Sequence, residues 1–91
     1  MIERADFRQS YRDAHAVDNL SEREKIFMGL AVAMVRNCQP RVERRLADAR
    51  KAGIDETDLD CAVDVIAAVD AGILQSLNIR SKAQLKRQGD G

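Results

Sequence analysis

Asn37-Cys38-Gln39-Pro40-Arg41-Val42-Glu43-Arg44-Arg45 joins an uncharged run to a strongly basic one, and its reading decides the fold. Pro40 suits the first turn of a helix, where its missing N–H would be unpaired anyway and its fixed φ is already helical. The chain is therefore expected to turn before Pro40 and to start a new helix there, with a thiol at its N-terminus. Unpaired backbone N–H groups and neighbouring arginines favour a thiolate in such a place. Cys38 is accordingly the candidate catalytic thiol. With no base or second thiol beside it, it is an incomplete site.

Upstream, Ser21 followed by Glu24 forms a capping box, with Leu20 as a staple, and starts a helix running to about Arg36. Ile26, Phe27, Leu30, Ala31, Met34 and Val35 fall on or near one face. Met28, Gly29, Val32 and Ala33 are also uncharged, so this helix is expected to be covered on most sides. A domain this small cannot easily enclose a helix, which makes a second subunit the natural supplier of cover. An earlier helix is predicted over roughly Glu3 to Ala14, with Phe7, Tyr11 and Ala14 as a narrow apolar stripe.

Downstream, the basic helix is expected to end at Gly53, the glycine that follows a helix C-terminus, with Ile54 making the accompanying apolar contact. A fourth helix, capped by Asp55 or Thr57, is predicted to run to about Asp70 and to bury Leu59, Ala62, Val63, Ile66 and Val69. Ser81 and Gln84 suggest a further capping box and a short last helix. The short turn at Gly53 makes the third and fourth helices an antiparallel hairpin. Its two arms are basic (Arg41, Arg44, Arg45, Arg50, Lys51) and acidic (Glu56, Asp58, Asp60, Asp64, Asp70), so their flanks can attract each other.

Composition agrees with a single all-α domain over residues 1–91, frayed at 88–91. Apolar residues make up 45% and charged residues 33%, as in a folded rather than a disordered chain. One proline and five glycines leave helix favoured throughout. The formal net charge is zero and no aromatic interleaves the arginines, which argues against a nucleic-acid partner. Ile26 to Val35 is about half the length of a bilayer crossing, so no membrane span is expected. Met1-Ile2-Glu3-Arg4 runs straight into charges, and with two cysteines only, the expected compartment is the cytoplasm. Asp60 and Asp64 lie one turn apart but lack a third ligand, so neither a metal nor a cofactor is expected.

Ser21 to Ala33, then Cys38, then Ala49-Arg50-Lys51-Ala52-Gly53-Ile54-Asp55-Glu56-Thr57-Asp58-Leu59 and Ala62 to Val69 resemble the alkylhydroperoxidase D-like / carboxymuconolactone decarboxylase family. The likeness covers residues 20–74, and the Ala-Gly-Ile-Asp-Glu hinge is its most specific part. It implies a helical hairpin packed on a buried central helix. It also implies a homo-oligomer: dimer, trimer or hexamer. The peroxidase branch uses Cys-x-x-Cys-x-x-x-His with an upstream glutamate, the thiols cycling through a disulfide while glutamate and histidine relay protons. Cys38 matches the first cysteine, whereas the second falls on Arg41, the histidine on Arg45 and the glutamate on Ile26. Arginine stays protonated and isoleucine moves no proton, so the relay cannot run as in the family. The histidine of the decarboxylase branch has no match either.

Cys61 does not restore the missing thiol. Across the expected hairpin it is offset from Cys38 by about nine residues, roughly 13 Å at the helical rise, and a disulfide needs Cα atoms within about 7 Å. It is read as a small core residue. Two functional readings follow. One is a non-catalytic or repurposed helical homo-oligomer. The other is a single-cysteine, thiol-dependent peroxidase or antioxidant oxidoreductase of the peroxiredoxin type, using Cys38 with an external thiol as reductant. Under either, Arg41 and Arg45, one turn apart, are candidate contacts for an anion in the family's active-site position. The structural alternative is a salt bridge to Glu43, Asp48 or an acidic neighbouring helix.

Overall fold

A computed structural model of the chain describes residues 4–89, with side chains from Arg8 onward. All regular structure among them is helical: α1 (Arg4–His15), α2 (Glu22–Val35), α3 (Gln39–Lys51) and α4 (Glu56–Arg87). The all-α reading therefore holds. Glu3 lies outside the described residues, as do the side chain of Phe7 and the last two residues of the expected frayed end. The chain divides after Ile54 into two compact units, residues 1–54 and 55–91.

In the first unit the expected punctuation is present. The Ser21 hydroxyl accepts from the Glu24 amide at 3.0 Å, and the Ser21 amide donates to Glu24 Oε1 at 2.7 Å, completing the capping box. These bonds, the one from the Ser21 backbone foremost, hold the Glu24 carboxyl below its ordinary value. The α2 C-terminus closes on Asn37, which adopts the left-handed conformation at φ 55°. The Asn37 amide donates to Met34 O and the Cys38 amide to Ala33 O, both at 3.0 Å. This paired closure satisfies the last carbonyls, and Asn is the residue other than glycine that best tolerates it. Cys38 is thus the residue after one helix and the N-cap of the next, its carbonyl accepting from Val42 at 3.0 Å.

The same closure ends α3. Gly53 sits at φ 77°, its amide donates to Arg50 O, and the Ile54 amide donates to Ala49 O. Ala49 and Ile54 are both buried, as the apolar contact of this motif requires. α2 packs on α3. Ile26, Leu30 and Ala33, at i, i+4 and i+7, are its buried stripe, and Leu30 is completely buried. The opposite side of α2 is not covered, since Met28, Val32 and Val35 are all more than half exposed. One buried face, not cover on most sides, is what this chain alone provides.

In the second unit, α4 is one helix of 32 residues rather than a helix to Asp70 and a separate one from Ser81. Residues 71–80 contain no proline, the single Gly72 costs only about 1 kcal/mol, and the capping signal at Ser81 is overridden because serine is tolerated inside a helix. Leu59 is buried and Ala62, Val63 and Ile66 are half-buried, at helical spacing. Cys61 lies two residues from Leu59, about 200° round the helix, and is exposed, so the expected core role is not found. Val69, also expected in the core, is exposed at 59%, and Ile73, Leu74 and Leu77 beyond it are exposed too. By length and mean hydropathy (1.4 over 18 residues) α4 could cross a membrane. Asp64 and Asp70 both lie in its apolar stretch, where a bilayer would charge heavily for them.

Candidate functional site

Cys38 opens onto a cleft of about 400 Å³ in the first unit, lined on the α2–α3 side by Gly29, Val32, Ala33, Arg36, Arg41 and Arg45. Pro40 and Gln39 start α3 immediately after the thiol, so Arg41 and Arg45 follow on successive turns of the same helix. The structure brings all three candidate residues, Cys38, Arg41 and Arg45, to one cavity. It also adds two that the sequence reading did not nominate, Tyr11 and His15 from α1.

Arg45 is the most constrained of the arginines, with a side chain only 12% exposed. Its Nη1 pairs with Asp48 Oδ2 at 3.0 Å, its Nη2 donates to the Tyr11 hydroxyl, and its guanidinium lies 5.7 Å from the Tyr11 ring centre. The salt-bridge alternative therefore holds for Arg45, with Asp48 as partner. Gly29 makes room for this side chain: a Cβ there would lie 3.0 Å from Arg45 Cδ. A glycine in mid-helix is costly, and here the close passage of Arg45 accounts for it. Among the described residues neither Arg36 nor Arg41 has an ion-pair partner.

His15 stacks on Tyr11 with ring centres 4.0 Å apart and planes at 22°. Its Nδ1 lies 2.9 Å from the Tyr11 carbonyl. A carbonyl only accepts, so Nδ1 carries the proton and Nε2 is the basic nitrogen of the neutral ring. The signal for this pair was available in the sequence. Tyr11 and His15 are the chain's one tyrosine and one histidine, and they stand one helical turn apart.

Polar contacts tie α1 to this place. Lys25, from the second turn of α2, donates through Nζ to His15 O at 2.7 Å and to Val17 O at 2.6 Å, closing the α1 C-terminus with a cation. Lys25→Met is expected to remove both charge-assisted bonds, about 1.5–3 kcal/mol each, and to release α1 with Tyr11 and His15. Amide hydrogen exchange is the check: α1 amides should exchange at least about tenfold faster while those of α2 and α3 keep their rates. Unchanged exchange in α1 would show that the tether is not what holds it.

The other positions of the family relay are now placed. Ile26 is 4% exposed, in the α2 stripe facing the core, and does not line the cleft. Both cysteines are free thiols, and they belong to different units. Among the described residues no three His, Cys, Asp or Glu side chains gather as a metal-ligand set.

The model of the carboxymuconolactone decarboxylase family matches residues 4–79, which run through both units. This chain belongs to the carboxymuconolactone decarboxylase family. No curated protein and no solved structure matches it.

Proposed function

We propose that this chain is a member of the family that has lost the peroxidase relay and works as a helical homo-oligomer whose cleft binds a small anion. The observation that carries this reading is the fate of the relay positions. Ile26 is sealed in the core, and the Arg45 guanidinium is taken by Tyr11 and Asp48. Neither can pass a proton, and Arg41 offers charge where the family's second, nucleophilic thiol would be needed. Arg36 and Arg41 supply positive charge to a cleft whose lining, among the described residues, contains no carboxylate.

The oligomer is supported by apolar surface the single chain leaves open. Met28, Val32 and Val35 on α2 and Val65, Val69, Ile73, Leu74 and Leu77 on α4 are exposed in contiguous helical stretches. Surface of this kind marks an interface, and the aspartates within the α4 stretch favour a protein partner over lipid. Light scattering should give a multiple of the 10.1 kDa chain. A clean monomer at micromolar concentration would remove the oligomer from the reading.

One observation favours a second reading, a single-cysteine oxidoreductase in the cytoplasm: His15 and Cys38 line the same cleft. In that chemistry the Cys38 thiolate attacks a hydroperoxide, the O–O bond breaks, and Sγ gains the oxygen as a sulfenic acid. The alcohol or water leaves with a proton that an imidazolium at His15 could give. An external thiol then forms a mixed disulfide, releasing water, and a second thiol restores Cys38. The rate of Cys38 with peroxide separates the readings. If it is no faster than that of a free cysteine, the oxidoreductase reading falls. If it is at least about tenfold faster and drops in His15→Ala, the anion-binding reading no longer describes the whole site.

A further inference from the structure

The anion-binding cleft has a neighbour, and the pair together define a ligand class. A second cleft, about 270 Å³, is lined by Arg8, Tyr11, Arg12, Arg41, Arg44 and Arg45. It shares Tyr11, Arg41 and Arg45 with the cleft that reaches Cys38. Among the described residues, five arginines from two helices therefore surround one small space with a single tyrosine and no carboxylate in its wall. The chain as a whole is neutral, with 15 basic and 15 acidic residues, so this is local concentration of charge and not general basicity.

Helical spacing accounts for the gathering. Arg8 and Arg12 stand at i and i+4 on α1, and Arg41, Arg44 and Arg45 at i, i+3 and i+4 on α3. Arg45 is neutralised by Asp48, and Arg12 is bonded to the uncharged Gln9 side chain. Among the described residues Arg8, Arg41 and Arg44 have no anionic partner. Like charges brought together without counter-charge cost stability, and an anion between the helices would relieve that cost.

We infer that the arginine cleft takes the phosphate group of an organic phosphate, whose apolar part lies in the adjoining cleft toward Cys38. This rests on the reading of that cleft as an anion site and names its ligand class. A carboxylate offers one charge and two oxygens in a plane, enough for one guanidinium fork. A phosphate monoester carries nearly two charges on three tetrahedrally disposed oxygens and can take forks from α1 and α3 at once. The adjoining cleft supplies the other half of the fit, because Gly29, Val32 and Ala33 give it an apolar wall. A nucleic-acid strand fits less well: the space holds one phosphate and not a tract, and among the described residues Tyr11 is the only aromatic in its wall.

Isothermal titration with phenyl phosphate, benzoate and inorganic phosphate tests this at low ionic strength. Phenyl phosphate is expected to bind at least about tenfold more tightly than either of the others. Arg8→Gln and Arg44→Gln should each weaken it about tenfold, the loss of one charge-assisted hydrogen bond. Both arginines are exposed, and circular dichroism should report unchanged helix content. Equal binding of benzoate and phenyl phosphate, or binding indifferent to Arg8→Gln and Arg44→Gln, overturns the phosphate assignment and leaves the anion reading in place. Binding of none of the three overturns both. Tighter binding of polyglutamate or of an oligonucleotide than of phenyl phosphate overturns the small-molecule assignment.

Discussion

Ile26→Glu, which returns to the chain the acid that the family relay uses, is expected to cost at least about 4 kcal/mol and leave little folded protein near neutral pH. Ile26 is 4% exposed and sits on the α2 stripe with Leu30 and Ala33. The substitution removes buried apolar surface and puts a carboxylate into the core. A small domain has about 5–15 kcal/mol of stability in all. Burial would raise the folded-state pKa of the new carboxyl, so the variant should be least unstable in acid. Its stability should fall as pH rises from the ordinary carboxylate value through the raised one. Urea unfolding at acid and neutral pH measures both effects. A variant within about 1 kcal/mol of wild type at neutral pH would mean that position 26 can open to the cleft and that the relay is recoverable.

Leu30→Ala should have the next largest effect, about 3 kcal/mol of destabilisation. Among the described residues Leu30 is the one large side chain with no exposure, and only six apolar side chains are buried. With so small a core, a void at its centre cannot be offset by neighbours. Leu30 also follows Gly29, the residue over which Arg45 passes, so loosening α2 against α3 should disturb the cleft. The expected signature is a lower urea midpoint with an unchanged denaturant slope. A loss under about 1 kcal/mol would show that the α2 stripe is not the centre of the core.

Much of this could be read from the sequence because it is written in local chemistry. The Ser21–Glu24 box, the Pro40 start and the Gly53–Ile54 closure are each set by a few adjacent residues, and each is present as read. The continuity of α4 was misread because Ser81 carries a start signal that only the surrounding helix cancels. Cys61 was misplaced for a related reason. Free cysteine often fills a small core position, whereas the angle of Cys61 from Leu59 turns it outward. The cleft itself was half legible. Cys38, Arg41 and Arg45 follow from one stretch of chain, but Tyr11 and His15 arrive from a helix more than twenty residues earlier, and only folding brings them in. Their placement depends on Lys25 and Arg45, polar contacts with no periodicity to betray them.

On the proposed function, Cys38 lines its cleft without a working peroxidase relay. Peroxide consumption with a dithiol reductant, wild type against Cys38→Ser on the intact chain, tests it most directly. Both proteins should show the same slow background. Sustained turnover by the wild type that vanishes in Cys38→Ser would contradict it.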